Sequence, residues 1–107
     1  MKKEEAVGEL LEETAQLLED LYQGGFSTVS EGVERELERL CVKTSAYGME
    51  CLSQLLTQLL ERYRAGRHRM QGEERALLRA FAMACTYVET AKARNAHDAA
   101  AAYYGEK

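Results

Sequence analysis

The chain has no proline and no tryptophan among its 107 residues, only two phenylalanines and only three cysteines. Without proline, nothing forces a break in a helix, because proline alone both lacks the backbone donor and clashes with the preceding turn. Cys41, Cys51 and Cys85 are odd in number and far apart in sequence. They form neither an even disulfide framework nor the close Cys-x-x-Cys pairs of a structural zinc site. With no secretory leader pattern at the start, this points to a reducing compartment, and a cytoplasmic location is expected. No apolar run approaches the ~18–20 residues of a membrane span, so no membrane partner is expected. Basic charge is also short. Lys and Arg total 14 against 18 Asp and Glu, for a net charge of −4, which excludes the whole-chain basic field of many nucleic-acid-binding domains.

What the chain does have is helical periodicity. Apolar residues make up 46% and charged residues 30%, an ordinary globular balance, and the length suits one domain, 1–107, with its own core. A first helix is predicted over Lys3 to Tyr22. Val7, Leu10, Leu11, Thr14, Leu17, Leu18 and Leu21 recur in steps of three and four and so share one face. The other face carries Glu9, Glu12, Glu13, Glu19 and Asp20, and Gly24 and Gly25 supply the stop. A second helix is predicted from Val29, with Thr28 as N-cap and Glu31 reaching back in a capping box. Its buried stripe reads Val33, Leu37, Leu40, Cys41, Thr44 and Tyr47, up to Gly48. A third, from Met49 to Ala65, presents Leu52, Leu55, Leu56, Leu59, Leu60 and Tyr63, with Gly66 as its C-terminal cap. Gly48 alone disfavours a helix by only ~1 kcal/mol, so the second and third segments read equally as two helices or one bent rod. The fourth starts near Glu73, turns Leu77, Leu78, Phe81, Ala84, Cys85, Val88 and Ala91 inward, and can run through the alanine-rich stretch to Tyr103 and Tyr104.

No segment alternates apolar and polar residues as a strand would. Four such stripes are marginal singly and must be buried against one another. The expected fold is all-α: a compact antiparallel bundle of about four helices with a long C-terminal helix.

No cofactor, metal or catalytic residue is expected. His68 and His97 do not fall one helical turn from each other or from a cysteine, so no metal pair shares a helix face. Cys41 and Cys85 sit on apolar stripes and read as small buried hydrophobes. No Glu-x-x-His pair suggests a di-iron bundle, and no glycine-rich phosphate loop occurs. The chain is therefore read as a non-enzyme.

Two features point to partners. Arg62, Arg64, Arg67, His68 and Arg69 cluster at a helix end and turn, where planar guanidinium groups suit phosphate or carboxylate. Binding of nucleic acid or another anion through Arg62, Arg64, Arg67 and Arg69 is the runner-up reading, weighed against helix-dipole complementation and ion pairs to a neighbouring acidic face. The other feature is the fourth helix. At ~1.5 Å per residue its ~30 residues span ~45 Å, longer than the rest of the bundle. Part of it must project or pack on a second chain. Tyr87, Arg94, Tyr103 and Tyr104 are the candidate partner-binding residues, and a homodimer is expected.

Gly25-Phe26, Glu36-Leu37…Leu40, Ala46-Tyr47-Gly48-Met49 and Leu52…Leu55-Leu56…Leu59-Leu60 together resemble the helical segment that accompanies bacterial SWIM zinc fingers. The resemblance covers residues 10–66. The family's metal motif, two closely spaced cysteines and a Cys-x-His, is absent, so zinc binding is carried over to no residue. What the resemblance implies is an accessory helical part of a nucleic-acid- or protein-binding system. The leading expectation is a self-associating helical module that scaffolds another protein.

Overall fold

A computed structural model describes residues 3–24, 30–65 and 73–104. Four helices follow one another: α1 (Lys3–Gly24), α2 (Glu31–Ala46), α3 (Glu50–Arg64) and α4 (Glu73–Tyr104). No strand occurs among the described residues. α1 packs on α2 and α4, and α3 packs on the same two helices, so the four close into a bundle. Ion pairs tie neighbouring helices together. Arg39 of α2 reaches Glu13 of α1, Arg64 of α3 reaches Glu34 and Glu38 of α2, and Lys92 of α4 reaches Glu12 of α1. Successive helices run antiparallel, as short connections require.

The periodic residues form the seam. Leu37, Leu40, Leu52, Leu56, Leu59, Leu77 and Ala84 are each fully excluded from solvent. Leu10, Leu11, Leu17, Leu18 and Leu21 join them from α1, and Tyr63 and Val88 from α3 and α4. Two threonines are equally buried. Thr14 and Thr44 satisfy their hydroxyls by donating to the carbonyls of Leu10 and Leu40, both at 2.7 Å. That local bond lets a polar side chain occupy a core position.

α2 and α3 are two helices, not one bent rod. α2 ends in a paired cap: the Gly48 amide donates to the Ser45 carbonyl at 3.0 Å and the Met49 amide to the Thr44 carbonyl at 2.8 Å. This Schellman arrangement needs a left-handed residue directly after the C-cap Tyr47, and Gly48 supplies it at φ 77°. Met49 then serves as the N-cap position of α3, its carbonyl accepting from the Ser53 amide at 2.9 Å.

Several expectations are corrected. α2 starts at Glu31, with Ser30 as N-cap: the Ser30 hydroxyl accepts from the Val33 amide at 3.4 Å, and the Ser30 amide donates to the Tyr63 hydroxyl at 2.7 Å. Glu31 is thus the first helical residue, after Ser30 rather than Thr28 as N-cap; Thr28 and its expected capping box lie outside the described residues, as do Gly25 and Gly66. α1 continues through Gly24. Tyr47, placed on the buried stripe, is 44% exposed: α2 ends at Ala46, so Tyr47 is the C-cap and no longer holds the helical register of the stripe. Leu78 is 46% exposed, since the inward stripe of α4 is narrower at this level than the run Leu77-Leu78 implied.

Candidate association site

The length mismatch between helices creates the most distinctive surface. α4 has 32 residues against 16 in α2 and 15 in α3. At ~1.5 Å per residue these are about 48, 24 and 22 Å, and the molecule's long dimension is 56 Å against 22 and 20 Å across. The α2–α3 turn at Gly48 and Met49 comes to rest against Val7 and Leu11 of α1 and the Tyr87–Asp98 part of α4. Past that turn only α1 and α4 continue. The face that α3 covers lower down is left open there.

The result is a groove of about 660 Å³ lined by Val7, Leu11, Gly48, Met49, Tyr87, Thr90, Ala91, Arg94, Asn95 and Asp98. Its floor is apolar, from Val7, Leu11, Met49 and Ala91. Its rim is polar, from Thr90, Arg94, Asn95 and Asp98. α1 and α4 approach closely beneath it, since a Cβ on Gly8 would lie 3.1 Å from the Asn95 side-chain nitrogen. Tyr87 is half-buried, whereas Arg94 and Asp98 are exposed. Among the described residues neither Arg94 nor Asp98 makes an ion pair or side-chain hydrogen bond.

Two of the four residues expected to mediate association, Tyr87 and Arg94, therefore line one groove. Tyr103 and Tyr104 belong to the last turn of α4 by backbone, and their side chains lie outside the described set. The sequence reading missed Asp98, Met49 and Val7 as members of this surface. The signal for Asp98 was present: Tyr87, Ala91, Arg94 and Asp98 follow at four, three and four, the spacing of one helix face. Nothing local could have placed Met49 there.

The arginine cluster is only partly visible. Arg67 and Arg69, with His68, lie outside the described residues. Arg62 is exposed on the last turn of α3. Arg64 turns to α2, its Nε donating to Glu34 at 2.5 Å and its Nη2 to Glu38 at 3.3 Å. Those carboxylates, Glu34 first, hold its guanidinium above the ordinary arginine value. Arg39 is likewise held by Glu36 and Glu13, and it keeps the Glu36 carboxyl below its usual 4.5.

Cys41 and Cys85 are poorly set for nucleophilic chemistry. Burial pushes the Cys41 thiol up, against a smaller opposing effect of the Thr57 hydroxyl, and burial with the charges of Glu89 and Glu19 pushes up Cys85. A raised thiol has less reactive thiolate near neutral pH. Cys85 lies in a smaller concavity between α1 and α4, beside the stacked rings of Tyr22 and Phe81, whose centroids are 6.2 Å apart. Among the described residues no three His, Cys, Asp or Glu side chains converge as a metal site, and no helix is long and apolar enough to cross a membrane.

No family model, curated protein or solved structure matches the chain.

Proposed function

We propose that this protein is a non-catalytic helical assembly module that associates with a second copy of itself through the projecting end of α1 and α4. The observation that carries the reading is the groove at Tyr87, Ala91, Arg94 and Asp98, where two helices outlast the other two and leave an apolar floor facing solvent. A core-facing stripe that runs past its covering helix has the composition of an interface centre, apolar inside and polar at the rim. The resemblance of residues 10–66 to an accessory helical segment fits a module that works by binding. The cytoplasmic setting expected from three unpaired cysteines fits as well.

The nucleic-acid reading has less support. Arg64, central to the cluster, is already matched by two carboxylates, so its charge is largely answered within the chain.

Light scattering at micromolar concentration tests the proposal. The expected mass is twice the 12.1 kDa of the chain, returning to one chain mass on truncation after Ala91, with circular dichroism confirming that the shortened protein stays helical. A full-length species of one chain mass overturns the reading.

A further inference from the structure

The sequence of the α4 face carries more than a propensity to associate. Resting on the self-association reading above, we propose that two copies join by laying their α4 ends antiparallel across a twofold axis level with residue 96, each Arg94 meeting the other copy's Asp98.

Arg94 and Asp98 are one helical turn apart, both exposed and both on the rim of the same groove. An i,i+4 pair with the base N-terminal to the acid is the less favourable orientation within one helix. Correspondingly, the two side chains do not form an ion pair with each other. Between two antiparallel copies the same spacing becomes self-complementary. A twofold axis midway between them carries position 94 onto 98 and 98 onto 94, so one arrangement makes two opposite-charge pairs. That reciprocity is the defining property of an isologous dimer interface.

The neighbouring register agrees. The same axis sets Ala91 against position 101, which is also alanine. Small residues at facing positions let two helix backbones come close without side-chain collision. Ala91 is half-buried at the groove floor in one copy, and the approach would remove it from water. A parallel pairing of the same faces would instead set Arg94 on Arg94 and Asp98 on Asp98, which like-charge repulsion disfavours. The charges thus choose direction and register, while the apolar floor supplies the driving force.

The experiment is a charge swap read by analytical ultracentrifugation at low salt on the full chain, with thermal melts to verify folding. Both residues are exposed, so Arg94→Asp and Asp98→Arg leave the core intact. Each single variant places only like charges at the contact and is expected to weaken dimerisation by ~10-fold or more. An equimolar mixture of R94D and D98R restores opposite charges at both contacts, and is expected to recover a heterodimer of wild-type strength. The double variant R94D/D98R is expected to recover a homodimer. Single variants that dimerise like the wild type, or weakened variants that the mixture does not rescue, overturn this geometry and leave self-association through some other surface standing. A wild-type chain that is monomeric in the same runs overturns both the geometry and the self-association reading.

Discussion

Replacing Gly48 with alanine isolates one backbone requirement. Gly48 directly follows Tyr47, the C-cap of α2, and takes φ 77°, and a Cβ built there meets no atom within 4 Å. Steric collision with neighbours therefore contributes nothing, and the effect is torsional. A left-handed L-residue is disfavoured by about 1–2 kcal/mol. Alanine also stiffens the unfolded chain, which offsets roughly 0.4–1 kcal/mol. The net expectation for Gly48→Ala is a destabilisation of about 1 kcal/mol, a fall in Tm of about 4 °C for a domain of this size. Gly32 provides the opposite control. It lies in the first turn of α2 with right-handed geometry, and its Cβ would meet the Ser30 hydroxyl at an ordinary 3.7 Å. Gly32→Ala should stabilise by roughly 0.5 kcal/mol through helix propensity. Urea unfolding followed by circular dichroism measures both. The reasoning is refuted if the two substitutions shift the midpoint in the same direction. It is also refuted if Gly48→Asn, which tolerates the left-handed region better, proves worse than Gly48→Ala.

Other expectations follow from single contacts. Tyr63→Phe keeps the buried ring and removes the acceptor for the Ser30 amide; because Ser30 is exposed and water can replace the bond, unfolding should become easier by about 1 kcal/mol and no more. Thr14→Val should change stability by less than about 1 kcal/mol, a buried methyl offsetting a lost hydroxyl bond, while Leu56→Ala in the same core should lose about 3 kcal/mol. Iodoacetamide should modify exposed Cys51 well before Cys41 and Cys85, whose thiols are raised and partly buried; equal rates would contradict the burial. Glu36 has a folded value below its usual 4.5, so its pairing with Arg39 adds stability above that pH and loses it as pH falls through the folded value. Arg39→Leu should therefore lower Tm slightly at neutral pH, by an amount that shrinks in acid. The pair is exposed and its contribution stays below about 1 kcal/mol.

The helices and their inward faces were legible because helical periodicity is a local property: leucines at steps of three and four mark a face wherever the helix finally packs. Hence the α1 and α3 stripes, most of the α4 stripe and the all-α class were readable from the sequence. The start of α2 was not, because Thr28 and Ser30 are both competent caps by residue type. Tyr63, thirty-three positions later and brought there only by the fold, accepts the Ser30 amide. The exposure of Leu78 escaped for a related reason: a stripe's width depends on how closely the neighbouring helix approaches at that level, whereas Tyr47 falls just past the point where α2 stops.

For the candidate surface the division is similar. Sequence alone determined that α4 is too long for its partners and that Tyr87, Ala91, Arg94 and Asp98 share a face, since both follow from residue count and a fixed rise and turn per residue. Only the tertiary structure decided that the α2–α3 turn stops level with Arg94, that Met49 and Val7 floor the groove beside it, and that Arg64 pairs with Glu34 and Glu38 of α2. Those are relations between helices, set by how the stripes interlock, and no local pattern along one chain segment contains them.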